Sequence, residues 1–525
     1  MVKVLISDKM SPRAAEIFRE RGVEVDEKPG MTPEELKACI GEYDGLAVRS
    51  ATKATAEIIE AATNLKVIGR AGIGVDNVDI PAATAAGICV MNTPFGNAIT
   101  TAEHAIAMMF SLSRHIPAAN ASTQAGKWEK SKFMGVELYG KTLGVIGCGN
   151  IGSIVADRAV GLKMKVAAYD PFLSPERAQE LGVEKLELDD LFARADYISL
   201  HTPITDSTRN IINAKNIAKM KPGVRIINCA RGGLVVEEDL KAALESGHVA
   251  GAALDVFVVE PAKENILFGM ENVVTTPHLG ASTDEAQVNV AIQVAEQMSD
   301  YLLVGSVTNA LNMPSVTAEE APKLKPYMEL ASQLGSFAGQ VTESGIKSVR
   351  IEYEGAAASL NTKPLTSIII QGLLAPLLDT INMVNAPLVA KERGIDVTES
   401  YNDRDDDYQT LIRLSITTEH QTRDIAGTLF GGDRPRIVNI KGINIEAEVG
   451  PHMLYVTNQD KPGFIGALGS VLGDAGVNIA TFHLGRHKQE GEAIALIEID
   501  SELSVETLEN VCALPHVAQV KPLKF

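Results

Sequence analysis

Short apolar runs alternate with amphipathic stretches through the first three fifths of the chain. In the first hundred residues, this pattern predicts strands at 2–7, 23–26, 45–49 and 67–70 and helices at 12–21 and 33–40. Strands that alternate with helices are typical of a parallel sheet with helices on its faces. A longer helix is predicted from about 100 to 118.

A second series of strands and helices follows that helix. Apolar runs at 141–146, 165–169, 198–201, 225–228, 251–255 and 273–276 are the predicted strands. The helix predicted at 284–304 then returns the chain to the first sheet. We therefore expect an outer domain of residues 1–98 and 284–313, with a second parallel-sheet domain, residues 99–283, inserted in it.

The pattern changes after Pro314. Residues 314–451 mix predicted helices with strands near 347–354, 410–418 and 436–448, which indicates an α+β domain. Residues 452–525 read strand, helix, strand, strand, helix, strand, a βαββαβ unit. The predicted fold class is α/β, with two Rossmann- or flavodoxin-like parallel-sheet domains, one inserted in the other, plus these two smaller domains.

Composition narrows the class of protein. The 525 residues carry a net charge of −19, which argues against nucleic-acid and anionic-membrane partners. Five scattered cysteines fit a reducing cytoplasm and no disulfide framework or zinc site, and no signal peptide is expected before the first strand. The acidic run 403–407 is interpreted as a solvated loop, and no metal is expected.

A glycine-rich turn follows the predicted strand 141–146. Gly147 permits a tight turn, Gly149 lets the backbone approach a pyrophosphate, and Gly152 lets the next helix pack closely. Free N–H groups at that helix start favour an anion. Asp170, about 20 residues on, suits the ribose hydroxyls and repels a 2′-phosphate, so we expect NAD rather than NADP. The alternative is a purely structural turn.

Three polar residues follow later strands of the same domain: Arg231, Glu260 and His278. Ligands of open α/β sheets bind outside the carboxyl ends of strands. A histidine can take the proton of an alcohol, a carboxylate can orient it, and an arginine can hold a substrate carboxylate. Taken singly, each residue could instead be a surface or turn residue; the combination favours hydride-transfer chemistry.

Four segments carry a resemblance to a known family. Residues 70–79 (RAGIGVDNVD), 147–152 (GCGNIG), 228–233 (NCARGG) and 277–283 (PHLGAST) resemble motifs of the D-isomer-specific 2-hydroxyacid dehydrogenases. The resemblance implies that His278 is the acid–base, Glu260 its orienting partner and Arg231 the substrate anchor. Besides residues already named, it implies cofactor contacts from Ile73, Asn150, Ile151, Thr202, Cys229, Ala230, Asp255, Gly280 and Ala281. Relatives often have Arg in place of Asn150.

The order of the four domains resembles the long branch of that family, which acts on 3-phosphoglycerate. The resemblance places the substrate among Arg49, Ser50, Gly74 and Asn97. Lys130 falls where relatives carry a basic residue offered by a neighbouring subunit; the alternative is an ordinary surface lysine. The implied reaction is NAD-dependent oxidation of 3-phospho-D-glycerate. Rival hypotheses are a dehydrogenase for another D-2-hydroxy acid and a non-catalytic NAD-sensing scaffold.

The last domain resembles the ACT regulatory fold. The resemblance implies an L-serine effector at Asn458, Asp460 and Asn478, with Pro462-Gly463 at the start of the adjoining helix. In the third domain, Arg434, Arg436 and Lys441 are candidates for an anionic effector or ordinary surface charges. Domain pairing of this kind leads us to expect a homodimer or homotetramer.

Overall fold

Four separate sheets organise the chain. The computed structural model describes residues 2–316, 320–378, 380–402 and 408–525. The first two sheets are wholly parallel, as predicted, and the third and fourth are mixed and antiparallel. The acidic run 403–407 lies outside the described residues. The expected fold class is confirmed, whereas the exact domain boundaries stay predictions.

The outer domain has a five-stranded sheet of order β2-β1-β3-β4-β5. Its strands are β1 (Lys3–Ile6), β2 (Glu24–Glu27), β3 (Gly45–Val48), β4 (Val67–Arg70) and β5 (Cys89–Asn92), and its first helices are α1 (Arg13–Glu20), α2 (Pro33–Cys39), α3 (Ala56–Ala61) and α4 (Ile80–Ala85). The pattern at 89–92 was not recognised as a strand, although all four residues are buried. Arg49, after β3, and Ala71, after β4, begin the loops that face the inserted domain.

The helix predicted from 100 to 118 is two helices. Helix α5 (Ala98–Ser113) ends before His115, which adopts a left-handed φ of +54°, and α6 (Ile116–Gln124) follows. Pro117 explains the break, because proline fits the first turn of a helix but not its interior. The prediction of one continuous helix was therefore wrong.

The inserted domain has a seven-stranded sheet of order β12-β11-β10-β9-β6-β7-β8. Its elements are β6 (Thr142–Ile146), α7 (Asn150–Gly161), β7 (Lys165–Tyr169), α8 (Pro175–Glu180), β8 (Glu184–Lys185), α9 (Leu188–Arg194), β9 (Tyr197–Leu200), α10 (Ala214–Ile217), β10 (Val224–Asn228), α11 (Glu237–Glu245), β11 (Val249–Leu254) and β12 (Val273–Thr275). The chain order reverses between β6 and β9, where open α/β sheets bind ligands.

Helix α12 (Asp284–Val304) returns the chain to the outer domain, as predicted. Thr283 caps its first turn by accepting a hydrogen bond from the N–H of Ala286, and Gly305 ends it with a left-handed φ of +73°. Val290, Val294 and Met298 of this helix are buried in the core of the first sheet. The segment 277–283 therefore leads directly from the second sheet into the first domain.

The third domain has a six-stranded sheet of order β14-β13-β15-β16-β17-β18. Its elements are α13 (Ala321–Val341), β13 (Ile346–Gly355), α14 (Lys363–Leu374), α15 (Ala386–Glu392), β14 (Asp396–Asn402), β15 (Thr410–Thr418), β16 (Thr422–Phe430), β17 (Arg434–Ile440) and β18 (Ile443–Ala447). The single strand predicted at 436–448 is a hairpin, because Lys441 and Gly442 turn the chain with φ of +51° and +76°.

The last domain confirms the predicted βαββαβ order, with strands in the order β20-β21-β19-β22. Its elements are β19 (His452–Gln459), α16 (Phe464–Asp474), β20 (Ile479–Arg486), β21 (Glu492–Ile499), α17 (Val505–Cys512) and β22 (Val517–Lys524). One face of this sheet packs on its own helices. The other face, through Tyr455 and Leu496, shares a core with the third domain, where the Phe337 and Tyr455 rings meet edge to face.

Candidate active site

The glycine-rich turn after β6 has the geometry of an anion-binding loop. Gly147 has a φ of +89°, and a Cβ there would lie 2.6 Å from the carbonyl oxygen of His201. A Cβ on Gly152 would lie 1.9 Å from the carbonyl oxygen of Gly147, so α7 packs against the turn itself. A Cβ on Gly149 would meet no atom within 4 Å, and Asn150 begins the helix exposed. The space beside Gly149 and the free N–H groups of α7 therefore suit a pyrophosphate.

Asp170 lies next to this turn. One carboxylate oxygen accepts a hydrogen bond from the N–H of Cys148 at 2.8 Å, and the other accepts one from the N–H of Phe172 at 2.8 Å. These bonds fix the carboxylate at the end of β7 and leave lone pairs free on both oxygens. Ile151 and Thr202 are both half-buried, on α7 and after β9. The residues present thus fit NAD, and contact between Asp170 and its ribose stays a prediction.

His278 and Glu260 form a hydrogen-bonded pair. The Nδ1 atom of His278 lies 2.7 Å from Oε2 of Glu260, whose Oε1 accepts the N–H of Phe257 at 2.9 Å. The Glu260 hydrogen bond raises the pKa of His278 against the opposing effect of burial. Burial would raise the pKa of Glu260, but hydrogen bonds from His278 and the Phe257 N–H lower it overall. Because the pair uses Nδ1, the Nε2 atom of His278 takes no part in it.

A cleft of about 250 Å³ opens beside the pair. It is lined by Phe257, Glu260, Pro261, Ala262, Phe268, Thr275, Thr276, Pro277 and His278. The exposed fraction of the His278 side chain is 50%, so a small molecule can reach its imidazole.

Asp255, at the end of β11, is fully buried and anchors the segment that carries His278. Its carboxylate accepts hydrogen bonds from Thr276 Oγ1 at 2.6 Å and from the N–H groups of Leu279 at 2.7 Å and Gly280 at 2.8 Å. Its backbone oxygen accepts the N–H of His278 at 2.8 Å. His278 itself has a left-handed φ of +56°. Ala281, half-buried, follows in the same turn.

Arg231 reaches from the inserted domain to the outer one. It follows the buried Cys229 and the half-buried Ala230 after β10, and its Nε donates to Asp76 of the outer domain at 2.9 Å. The guanidinium lies over Gly74, where a Cβ would come within 1.6 Å of Nη2. Glycine at position 74 thus leaves room for the guanidinium, and Arg231 bridges the two domains.

Two further arginines lie close enough to Arg231 to affect each other's charge. Burial, reinforced by the charges of Arg231 and Arg49, lowers the pKa of Arg70 to about 10. The Nε atoms of Arg49 and Arg70 and Oδ1 of Asn97 are buried without a hydrogen-bond partner among the described residues. Buried polar groups in proteins are nearly always paired. The cluster of Arg49, Arg70 and Arg231, hereafter the arginine cluster, therefore suits an anionic ligand.

The structure does not bring every predicted substrate residue to the arginine cluster. Ser50 is exposed in the loop after Arg49. Ile73, predicted as a cofactor contact, is half-buried, and its carbonyl oxygen accepts a bond from Asn92. Lys130 is exposed in a short 3₁₀ helix, Lys130–Phe133. Within the described part of the chain, no hydrogen bond or ion pair joins Lys130 to the arginine cluster, so its role stays a prediction about a neighbouring subunit.

The predicted effector residues lie near one end of the last sheet, mostly engaged with other residues. Asp460 pairs with Arg486 at 2.7 Å, and Asn478 donates to Asp500 at 2.8 Å. Asn458 is buried, and its Oδ1 has no hydrogen-bond partner among the described residues. Among these three residues, Asn458 is the one whose unpaired atom is buried.

The basic residues of the third domain do not form one site. Arg436 pairs with Glu448 at 2.9 Å, whereas Lys441 lies in the turn after the same strand, with its Nζ 3.7 Å from Glu492 of the last domain. The two cations thus pair with carboxylates of different elements. These contacts favour the interpretation that Arg436 and Lys441 form ion pairs between neighbouring elements. They do not favour the shared anion site that the sequence suggested.

Sequence reasoning missed two residues that the fold brings to the site. Arg70 is the first residue of the segment 70–79 and the last residue of β4. Its position at a strand end could have marked it as a candidate ligand-binding residue. His104 lies on α5, with Nε2 3.2 Å from both Asp255 Oδ1 and Thr276 Oγ1. His104, Cys229 and Asp255 offer donor atoms within 4.8 Å of one another. The Asp255 carboxylate already accepts from several donors, and the expectation of no metal stays a prediction.

Comparisons with known proteins agree with this geometry. Residues 106–280 match the model of the D-isomer specific 2-hydroxyacid dehydrogenase NAD binding domain, residues 323–441 the D-3-phosphoglycerate dehydrogenase intervening domain, and residues 452–516 the ACT domain. The chain is 44% identical over 527 aligned positions to D-3-phosphoglycerate dehydrogenase of Synechocystis sp., covering 100% of this chain and 95% of the relative. The Bacillus subtilis enzyme of that name is 43% identical, over 99% of both chains.

The chain belongs to the D-3-phosphoglycerate dehydrogenase family. Solved structures resemble its first two domains: a glyoxylate reductase from Paecilomyes thermophila has a TM-score of 0.56 and 32% identity, covering 59% of this chain and 98% of that one. D-lactate dehydrogenase from Escherichia coli has a TM-score of 0.53 and 29% identity, covering 59% and 100%. The expected family and the NAD cofactor are therefore confirmed. Among the described residues, no helix has the length and apolar character needed to cross a membrane.

Proposed function

We propose that this protein oxidises 3-phospho-D-glycerate to 3-phosphooxypyruvate with NAD, the first step of L-serine biosynthesis. The observation that carries the proposal is the arginine cluster beside the His278–Glu260 pair. The substrate has a carboxylate at one end and a phosphate at the other, and the neighbouring guanidinium groups of Arg49, Arg70 and Arg231 can pair with such groups. Relatives of the same name match over nearly the full chain.

Each site residue has a definite task in this proposal. His278 accepts the hydroxyl proton at Nε2, since Nδ1 is held by Glu260. Arg231 binds the substrate carboxylate, and Arg49 and Arg70, with Asn97, bind the phosphate. When bound, NAD accepts the hydride from the carbinol carbon. A positioned base contributes about 10²–10⁴ in rate, so His278→Ala should lower turnover by that factor while NAD still binds.

The cofactor preference follows from Asp170. A carboxylate fixed at the end of β7 accepts hydrogen bonds from ribose hydroxyls and repels a 2′-phosphate. The remaining proposed contacts come from the glycine turn, Asn150, Ile151, Thr202, Cys229, Ala230, Asp255, Gly280 and Ala281.

A panel of substrates tests the proposal. NADH formation is measured at equal concentrations of 3-phosphoglycerate, D-glycerate and D-lactate. We expect kcat/KM to be highest for 3-phosphoglycerate, because only that substrate places an anion on the Arg49 and Arg70 side. Faster oxidation of D-glycerate would favour the rival D-2-hydroxy acid, and no NADH with any substrate would favour the scaffold hypothesis.

Regulation and assembly form a second part of the proposal. The unpaired Oδ1 of buried Asn458 supports an amino-acid effector such as L-serine in the last domain. Because Asp460 is already paired with Arg486, serine would have to compete with that ion pair. The substrate panel is therefore repeated with L-serine. We also propose a homodimer or homotetramer, in which Lys130 reaches a neighbouring subunit, and a cytoplasmic location.

A further inference from the structure

His104 lies behind the cofactor site, on a helix that the mechanism above does not use. Its side chain is 18% exposed, and Nε2 lies 3.2 Å from both Thr276 Oγ1 and Asp255 Oδ1. The single proton of the Thr276 hydroxyl is donated to Asp255 at 2.6 Å. Thr276 Oγ1 can therefore only accept from the imidazole, which makes Nε2 of His104 the donor to Thr276 and places this nitrogen beside the Asp255 carboxylate.

Asp255 is the group on which this donor acts. Its carboxylate is fully buried, and a buried charge is costly unless it is hydrogen-bonded. Burial alone would raise the pKa of Asp255, but hydrogen bonds from His104, Thr276 and the Leu279 N–H lower it overall, with His104 the strongest of the three. His104 thus helps to keep Asp255 ionised and fixed in place, with the buried Cys229 thiol as the other titratable group nearby.

The position of Asp255 in the sheet shows which end of the cofactor site this residue can affect. The glycine turn follows β6, with Asp170 on the β7 side and Asp255 and His278 on the β10–β12 side. A dinucleotide with its pyrophosphate at the turn and its adenosine at Asp170 must therefore place its nicotinamide towards Asp255. Asp255 also holds the backbone of residues 278–280.

We propose that His104 is a positioning residue that acts through Asp255 to shape the nicotinamide end of the NAD site. The inference rests on the NAD-dependent part of the proposed function and deepens it. It predicts that His104 affects binding of the nicotinamide half of the cofactor and leaves the adenosine half unaffected.

The test compares two nucleotides on the full-length chain without substrate. NADH contains both halves, whereas ADP-ribose lacks the nicotinamide. Dissociation constants are measured by NADH fluorescence and by ADP-ribose competition for His104→Ala, His104→Gln and His104→Asn. Gln can place an amide N–H near the position of Nε2, whereas the shorter Asn cannot. Glu103→Ala changes the adjacent exposed side chain of α5 and is the control.

We expect His104→Ala and His104→Asn to weaken NADH binding about tenfold, the effect of losing one hydrogen bond to a charged group. ADP-ribose binding should change less than about twofold, and His104→Gln should restore NADH binding to within about threefold of wild type. Equal losses for both nucleotides would show a merely structural role and overturn the inference, as would unchanged NADH binding. If the Ala variant does not fold, comparing NADH binding by His104→Gln and His104→Asn still tests the inference. Failure to oxidise phosphoglycerate would overturn the proposed function but not this binding result.

Discussion

Replacing Glu260 with Gln tests the central pair directly. The substitution keeps the size of the side chain but removes the charge 2.7 Å from Nδ1 of His278. A hydrogen bond to a charged group contributes about 1.5–3 kcal/mol. Because the two side chains are 50% and 35% exposed, solvent screening reduces this to about 1 kcal/mol.

The sign of the effect follows from the direction of the pKa shift. In alcohol oxidation His278 must be neutral, so kcat/KM rises with pH as the imidazole loses its proton. Glu260 raises the pKa of His278, so Glu260→Gln should move the acidic limb of kcat/KM to lower pH. The plateau of kcat should fall by about fivefold, because the neutral amide supports the developing imidazolium by about 1 kcal/mol less.

The assay is NADH formation from 3-phosphoglycerate between about pH 5.5 and 9, with the exposed Glu264→Gln as a matched control. An acidic limb that stays in place, or that moves to higher pH, would refute the reasoning.

Stability gives an independent check of the same pair. The lowered pKa of Glu260 stabilises the fold above its ordinary value of 4.5, and this contribution is lost as pH falls through the folded pKa. The raised pKa of His278 stabilises the fold below its ordinary value of 6.5, and that contribution is lost as pH rises through the folded pKa. The difference in Tm between wild type and Glu260→Gln should therefore be largest between pH 4.5 and 6.5.

Further variants test the cofactor and substrate sites. Gly152→Ala should lower Tm by several degrees, because its Cβ would lie 1.9 Å from the Gly147 carbonyl oxygen. Gly149→Ala should instead leave Tm unchanged and weaken NADH binding, because its Cβ would meet no protein atom within 4 Å. Thermal melts and NADH titrations of both variants distinguish these two effects. Asp170→Ala should lower the NAD to NADP ratio of kcat/KM about tenfold or more, as measured with both cofactors. Arg70→Ala should raise KM for 3-phosphoglycerate about tenfold or more and KM for D-glycerate much less; equal effects on both substrates would contradict phosphate binding.

Much of the fold was predictable because local patterns determine it. The alternation of strands and helices is visible in the apolar runs, and the glycine turn, Asp170 and His278 all stand at predicted strand ends. Two of the errors in element assignment arose where one residue redirects the chain. His115 takes a left-handed conformation before Pro117, and Lys441 turns a strand into a hairpin. No hydrophobic period marks such single-residue turns.

The contacts that complete the site were harder to predict, because they join distant parts of the chain. Asp76 and Arg231 are 155 residues apart and lie in different domains. His104 meets Asp255 only because α5 packs under the ends of β11 and β12. The shared core of the last two domains, which contains Phe337 and Tyr455, likewise depends on docking rather than on local pattern.

The arginine cluster shows how the fold prepares for an anion. Burying guanidinium groups near one another is unfavourable, and the pKa of Arg70, lowered to about 10, reflects both burial and repulsion. Asp76 offsets part of this charge through Arg231, but its side chain is 72% exposed, so the pair contributes less than about 1 kcal/mol. A bound carboxylate and phosphate would offset the repulsion among the three guanidinium groups. The cluster therefore stabilises the bound state more than the free one, which is what selective recognition of a doubly anionic substrate requires.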